Sequence, residues 1–245
     1  MVKIITIVFF SFAFGLAQDA TSIVKKAEQL MRANSSYTEM TMTIIKPNWS
    51  REMTMKVWAL EPDYTLVYIE APAKDKGTVT LKRKKEVWNW IPAVNRAIKV
   101  PPSMMMQDWM GSDFTNDDLV RQSSIVVDYT HSIIGEEKMA GYDCYKIEMI
   151  PKPDAGVVWG KIITWISKDG YLQLRADHYD EDLTLIKSMV GSEIKKLGGR
   201  TIPAHWEMIP HDKAGQKTVL DYLKIDFNLK IDESFFSQQN MKRVR

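Results

Sequence analysis

The chain has 245 residues, 45% of them hydrophobic, and a formal net charge of +2. This near-neutral balance gives no electrostatic argument for nucleic-acid binding, which needs a basic face. The single cysteine, Cys144, excludes an internal disulfide, so a large core must stabilise the fold instead. No linker rich in proline, glycine or serine divides the chain, which predicts one domain rather than two.

The sequence begins MVKIITIVFFSFAFGLAQDA, which has the layout of a secretory signal peptide. Lys3 supplies the positive charge, residues 4–14 form an apolar run, and Ala17 precedes the cleavage site. A membrane anchor is the weaker alternative, because the run is shorter than the ~20 residues that a span needs. We therefore predict a signal peptide over residues 1–17 and an exported domain over residues 18–245.

After the predicted cleavage site, apolar residues recur at helical spacing from Ile23 to Met31. This pattern predicts one amphipathic helix that begins with Thr21 or Ser22 as its N-cap and ends near Asn34. Such a helix has one apolar face to bury against the rest of the fold.

The apolar period then changes to two, which is the period of a β-strand. In TEMTMTIIK, Met40 and Met42 share one face, and in REMTMKVWAL, Met53 and Met55 share one face. The intervening PNWS is typical of a turn. These segments predict a long β-hairpin whose inner face is rich in methionine.

Further strands are predicted in two series. The first comprises residues 64–70, 78–83, 86–91 and 96–100, and the second comprises residues 126–134, 142–150, 158–167, 172–179, 183–194, 201–209 and 218–229. The tail DESFFSQQNMKR predicts a final capped helix with Phe235 and Phe236 available for docking. About a dozen strands without βαβ spacing predict an antiparallel sheet that curls, closes or nearly closes, and leaves room for a ligand.

Residues 104–120, which read MMMQDWMGSDFTNDDLV, interrupt the strands. Thr115 and Asp118 have the spacing of an N-cap and its acidic N3 partner, which predicts a short helix to about residue 123. Methionine is flexible and repacks around irregular apolar guests, whereas an ordinary sheet core favours Val, Ile and Leu. Each of the 15 methionines alone could fill a core, but the whole set favours a cavity for acyl chains.

Residues suited to catalysis or metal binding form no recognisable pattern. No G-x-S-x-G elbow occurs, Ser112 has the wrong flanking residues, and Cys144 lies on a predicted strand without an assignable base. The four histidines lack metal-site spacing, and the acidic run at residues 177–182 lacks the glycine of an EF-hand. We predict a protein that is not an enzyme and uses no cofactor or metal. The basic run LKRKK is either a solvated strand end or a patch that faces anionic lipid headgroups or a partner protein.

Residues 86–120 resemble the LolA-like superfamily, in the branch described as outer-membrane lipoprotein-sorting proteins. The matching positions are Trp88, Trp90, Pro92, Arg96, Lys99, Pro101, residues 109–114, Asp117, Asp118 and Leu119. The signal peptide, the series of strands and IDESFFS at residues 231–237 agree with this resemblance along most of the chain.

The resemblance implies a half-open antiparallel β-barrel of about eleven strands, covered on its concave side by helices. It implies a periplasmic carrier that shields acyl chains of lipoproteins or lipids for transfer to the outer membrane. Possible partners are an inner-membrane transporter of the RND type and an outer-membrane acceptor, and the alternative is a lipid-sensing accessory module of such a transporter. We expect a monomer. In the classical carrier an arginine of the barrel holds the lid helix, and Arg51, Arg83 and Arg96 are the candidates here.

On these grounds we predict a ligand-binding cavity and lid lined by methionine and aromatic residues. They are Met40, Met42, Met53, Met55, Trp88, Trp90, Met104, Met105, Met106, Trp109, Met110 and Phe114. Residues 104–120 form part of the lid, Gly111 is its hinge, and Asp113, Asp117 and Asp118 cap its short helices. A hydrolase would instead need a nucleophile, a base and a carboxylate together in the cavity, and a structural envelope protein would have a solid interior.

Overall fold

The computed structural model describes residues 19–120, 124–153 and 155–245 of the chain. The predicted signal peptide, residues 1–17, lies outside the described residues. Strands dominate the described chain, and its helices are few and short. The fold is mainly β, as the period-two alternation predicts.

Thirteen strands form one antiparallel sheet. They are β1 Ser35–Lys46, β2 Trp49–Leu60, β3 Tyr64–Ala71, β4 Val79–Arg83, β5 Glu86–Ile91, β6 Arg96–Val100, β7 Tyr129–Met139, β8 Tyr142–Pro151, β9 Lys161–Ser167, β10 Gln173–Tyr179, β11 Leu185–Leu197, β12 Arg200–Pro210 and β13 Lys217–Phe227. The helices are α1 Ala20–Met31, α2 Asn116–Val120 and α3 Gln238–Met241. The count exceeds the eleven or so that the resemblance implies, because pairing continues out to the five-residue strand β6.

The first and last strands lie side by side near the centre of the sheet. The strand order is β6-β5-β4-β3-β2-β1-β13-β12-β11-β10-β9-β8-β7. Strands β6 and β7 follow each other along the chain but form the two edges, so the curled sheet remains open. Residues 101–128, which we call the linking segment, lead from one edge to the other.

Helix α1 differs from its prediction at both ends. Asp19, rather than Thr21 or Ser22, is the N-cap, because its carboxylate accepts a hydrogen bond from the amide of Ser22. The helix ends at Met31, since the next residue is already extended. Its buried apolar face packs against β7, β9 and β12. No helix in the described ranges has both the length and the apolar character that a membrane crossing requires.

The two faces of the sheet carry separate apolar clusters. The methionine cluster contains Met42, Met53, Met55, Ile44, Val67, Ile69, Trp109, Phe114, Trp206, Met208 and Leu220. The C-terminal cluster contains Tyr64, Leu66, Tyr68, Val79, Leu81, Trp90, Phe236, Met241 and Val244. Strand β2 shows the separation, because Val57 packs against the first cluster and the next residue, Trp58, packs against the second.

The C-terminal segment docks on the sheet as the two phenylalanines predict, although its helix is divided. Residues Glu233–Phe235 form a single 3-10 turn with Asp232 as its cap, and α3 follows with Ser237 as its cap. Phe236 is fully buried between Tyr64 and Phe235. The segment therefore covers the sheet face opposite to the methionine cluster.

Candidate functional site

The predicted hairpin sets four methionines side by side on one sheet face. In the register of β1 and β2, Met40 lies opposite Met55 and Met42 lies opposite Met53. Met42, Met53 and Met55 are buried, and Met40 is half-buried against the same cluster. This face therefore offers a deformable apolar surface.

Two compartments lie on this face, with volumes of about 170 and 160 Å³. The first lies between α1, α2 and strands β9 to β13, and the second lies beside β1, β2, β3 and β13. Six residues border both compartments: Met31, Arg32, Phe114, Asp118, Leu220 and Tyr222. The compartments are thus neighbours, and the two apolar residues that border both from outside the sheet are Met31 of α1 and Phe114 of the linking segment.

A tight turn in the linking segment carries Phe114 into this position. The amide of Trp109 donates to the carbonyl of Phe114 at 2.7 Å, which closes the turn. The indole N–H of Trp109 donates to Thr80 Oγ1 on β4 at 3.2 Å. Trp109 lies inside the methionine cluster but borders neither compartment, so the hollow lies beneath Phe114 rather than beneath Trp109.

Asp113 ties the same turn to the centre of the sheet. Its carboxylate accepts hydrogen bonds from Lys46 Nζ at 2.9 Å and from Thr218 Oγ1 at 2.7 Å. The expectation that Asp113 caps a helix is therefore wrong for the described chain. Burial of a carboxylate is costly unless a cation pairs with it, and for Asp113 that cation is Lys46.

Helix α2 begins with the capping box that its sequence predicts. The Thr115 amide donates to Asp118 Oδ2 at 2.8 Å, and the Asp118 amide donates to Thr115 Oγ1 at 3.1 Å. Lys187 Nζ on β11 also donates to Asp118 Oδ2, at 2.5 Å. Asp117 lies in the first turn of α2, where an acidic residue suits the helix dipole. The Asp118 side chain thus caps helix α2 and also anchors it to the sheet.

Titratable groups gather on one side of the first compartment, which Asp117, Asp118 and His178 border. Burial raises the pKa of Asp117, and the adjacent Asp118 raises it further. Burial lowers the pKa of His178 to about 4, and nearby Lys187 contributes to this shift. Burial alone would raise the pKa of Asp118, but the Lys187 ammonium holds it below its usual value. At neutral pH this side therefore presents a neutral imidazole beside an ion pair.

An arginine that sequence spacing does not single out holds the end of α1. Nη1 of Arg200 donates to the carbonyls of Gln29, Leu30 and Arg32 at 2.8, 3.0 and 2.7 Å. Its guanidinium stacks 3.8 Å from the ring centroid of Phe227. Arg200 therefore satisfies carbonyls that the end of a helix leaves open.

The three arginines that the sequence offers as latches have different surroundings. Nη1 of Arg51 lies 3.4 Å from the carbonyl of Met110 and its Nη2 donates to Asp75, so it reaches the linking segment. Arg83 donates to the carbonyl of Phe236 on the opposite sheet face. Arg96 is exposed on the edge strand β6. Among the described residues, Arg51 is the one of these three whose hydrogen bonds reach the linking segment.

Other predicted site residues lie away from the compartments. Trp88 and Trp90 belong to the C-terminal cluster on the opposite face, and Met104 and Met106 are exposed. Three remaining members of the predicted lid are Met105, which is half-buried, Met110, which packs against the methionine cluster, and Gly111, which is exposed with φ +81° at the tip of the turn. The structure brings together the hairpin methionines, Trp109, Met110 and Phe114.

Ser188, Asp177 and His211 also meet, in an order that differs from that of a hydrolase. The Ser188 hydroxyl donates to Asp177 Oδ1 at 2.6 Å, and His211 Nε2 lies 2.8 Å from Ser188 Oγ. In a serine hydrolase the histidine lies between the serine and the carboxylate. Here the Ser188 hydroxyl donates to Asp177, so the serine lies between the histidine and the carboxylate. Ser188 also points away from the compartments, because the next residue on its strand, Met189, borders the first of them. Among the described residues, no group of three His, Cys, Asp or Glu side chains could hold a metal ion.

Comparison with known proteins gives a family and a fold. A family model described as that of an uncharacterized protein matches residues 61–243. No curated protein has a matching sequence. A DUF1329 family protein from Desulfovibrio piger is similar over 91% of this chain and 97% of its own, with 24% identity and a TM-score of 0.82.

Two further solved structures have the same fold along 91% of this chain. A putative outer membrane lipoprotein-sorting protein domain from Vibrio parahaemolyticus is covered over 98% of its length, with 22% identity and a TM-score of 0.80. A LolA superfamily protein from Nitrosomonas europaea is covered over 100%, with 20% identity and a TM-score of 0.77. The resemblance carried by residues 86–120 is thereby confirmed. The chain belongs to the family of uncharacterized proteins whose model spans residues 61–243, and it has the LolA-like fold of the lipoprotein-sorting proteins.

Proposed function

We propose that the protein is a periplasmic carrier that shields acyl chains of lipids or lipoproteins on their way to the outer membrane. The observation that supports this most directly is the divided cavity beside the methionine face. Met31 and Phe114 border both compartments, and both lie outside the strands of the sheet. Displacement of these two side chains would join the compartments into one apolar channel.

The size of the cavity supports a partition that moves. Ligand pockets usually have about 300–1,000 Å³, so each compartment alone is small for a complete acyl chain. Burial of each methylene contributes about 0.8 kcal/mol, so ten methylenes contribute roughly 8 kcal/mol. Opening the partition would cost part of this gain, because Met31 and Phe114 lose their own apolar contacts. Only the difference sets the affinity, which suits reversible carriage.

The cargo itself provides the first test. The protein is isolated from its native envelope without detergent, extracted with organic solvent, and the released molecules are identified by mass spectrometry. A carrier should yield acylated molecules at a fixed ratio to protein. The proposal would be contradicted if folded protein, isolated in this way, released no acylated molecules.

Substitutions inside the cavity provide the second test. Met40 borders the second compartment and Met189 borders the first, and both are half-buried. Met40→Gln with Met189→Gln should weaken binding of a fluorescent fatty acid by about tenfold, because two polar amides would enter the cavity. Met139→Gln is the matched control, since Met139 is half-buried but borders neither compartment. Transfer of the bound probe to acceptor vesicles would favour a carrier, and retention without transfer would favour a lipid-sensing accessory module.

A further inference from the structure

Three neighbouring hairpin tips form one corner of the sheet. They are residues 46–51 between β1 and β2, residues 72–78 between β3 and β4, and residues 91–96 between β5 and β6. Antiparallel order places all three at the same end of adjacent strands. The second and third tips touch, since a Cβ built on Gly77 would lie 3.1 Å from Pro92. We call these three tips the basic corner.

Large apolar side chains at the basic corner point into solvent. Trp49 is 50% exposed and Val94 is 54% exposed. The other seven tryptophans of the chain are buried or half-buried, so Trp49 is an exception to a consistent pattern. An indole ring at a protruding tip suits the interface between membrane and water, where tryptophan is enriched.

The same tips carry an excess of positive charge. They contain five cations, Lys46, Arg51, Lys74, Lys76 and Arg96, and one acid, Asp75. Lys46 pairs with Asp113 and Arg51 with Asp75. Lys74, Lys76 and Arg96 are exposed, and the ion pairs formed among the described residues include none of them. Three cations therefore remain for an outside partner.

Another tip at the same end of the sheet provides an internal comparison. Residues 180–184, between β10 and β11, carry Leu183, which is 57% exposed. Asp180, Glu181 and Asp182 precede it, and this tip has no cation. Apolar exposure is thus common to the basic corner and to this acidic tip, whereas the acidic tip lacks positive charge. We propose that the basic corner docks on an anionic lipid bilayer, with Trp49 and Val94 in the headgroup region.

This surface lies beside the roof of the cavity. Arg51 of the first tip reaches the carbonyl of Met110, and Lys46 of the same tip holds Asp113. Both contacts belong to the turn that carries Phe114. The docked protein would therefore present the linking segment close to the bilayer.

Cosedimentation with vesicles tests the proposal. Full-length mature protein should bind vesicles of phosphatidylglycerol and phosphatidylcholine, and added salt should weaken this binding. Vesicles of phosphatidylcholine alone should bind much less. Lys74→Gln, Lys76→Gln and Arg96→Gln together should weaken binding by roughly 100-fold, because each cation near an anionic surface contributes substantially. Trp49→Ser with Val94→Ser should weaken it by about tenfold.

Matched variants separate docking from other effects. Leu183→Ser removes an equally exposed apolar residue from the acidic tip and should leave binding unchanged. The tryptophan emission of the protein should shift to the blue on anionic vesicles, and Trp49→Phe should abolish this shift. Equal binding to both vesicle types, or undiminished binding by the triple variant, would overturn the proposal. The cavity variant Met40→Gln with Met189→Gln should still dock, so this proposal can fail independently of the carrier function.

Discussion

Lys187 of β11 donates a hydrogen bond to Asp118 of α2, and Nζ and Oδ2 are 2.5 Å apart. The Lys187 side chain is only 5% exposed, and Asp118 is half-buried. The pair joins the linking segment to a strand in the half of the sheet that does not contain β6. It therefore anchors the segment across the cavity.

Removal of one partner of this pair should destabilise the fold. Lys187→Met leaves Asp118 without its cation, and we expect the free energy of unfolding to fall by about 3 kcal/mol. Urea denaturation followed by circular dichroism measures the change. Lys187→Met with Asp118→Asn removes the buried charge but keeps an acceptor for the Thr115 amide. This double variant should recover part of the loss, and a double variant no more stable than the single one would contradict the explanation.

His178 should make the stability depend on pH. Its folded pKa is about 4, because of burial and then of Lys187, whereas an unfolded histidine has a pKa of about 6.5. Between these values the unfolded chain binds a proton that the folded chain does not. The free energy of unfolding therefore falls as the pH falls through this window, by about 2 kcal/mol between pH 7 and pH 4.5.

The variant His178→Gln isolates this effect. Burial raises the pKa of Asp117, Lys187 lowers that of Asp118, and Asp177 lies nearby, but all three carboxylates remain in the variant. The difference between the two stability curves thus reports the histidine alone. If the stability curves of the two proteins are parallel from pH 7 to pH 4.5, His178 is protonated as readily in the folded protein as in the unfolded chain.

Arg200 should control the opening of the C-terminal end of α1. Arg200→Gln removes a cation that binds three carbonyls of the helix end, and hydrogen bonds to charged groups are worth about 1.5–3 kcal/mol. We expect faster amide hydrogen exchange at residues 28–32, measured by mass spectrometry. Arg96→Gln, an exposed arginine on β6, is the control and should leave this exchange unchanged. If α1 exchanges at the same rate in both variants, Arg200 does not hold it.

Phe114 should set the length of chain that the cavity accepts. Phe114→Ala removes an aromatic side chain that borders both compartments, at a cost of about 3 kcal/mol in stability, and should leave one longer space. The ratio of affinity for a C16 probe to that for a C8 probe should rise, as measured by displacement of a fluorescent fatty acid. Phe236→Ala is the matched control, because it creates a similar void on the opposite face. An equal rise in both variants would point to general loosening.

Much of this fold could be predicted from the sequence because its signals are local. Alternation in β1 and β2 predicts which methionines share a face, and the spacing of Thr115 and Asp118 predicts how α2 begins. Alternation does not tell which face is concave when both faces are covered. Sequence alone therefore places Trp88 and Trp90 in the cavity, whereas in the structure they pack in the C-terminal cluster on the other face.

Contacts that hold the site together join residues far apart in the chain. Arg200 binds Arg32 across 168 positions, and Lys187 binds Asp118 across 69 positions. No local spacing predicts such pairs, since they depend on how distant strands are ordered. Met104 and Met106 show the converse, because an apolar run predicts burial but these side chains are exposed.

The central position of β1 and β13 has a consequence for how the chain acquires its structure. Every other neighbouring pair joins strands that follow each other in sequence. Strands β1 and β13 are the exception, because Ser36 pairs with Phe227, about 190 residues later in the chain. Non-local pairings form slowly, because closing a long loop loses conformational entropy before any stabilising contact has formed. Each half of the sheet can thus assemble from its own hairpins first. Met42 and Leu220 face each other across the junction of the halves, so the lining of the second compartment is complete only when the two halves have joined.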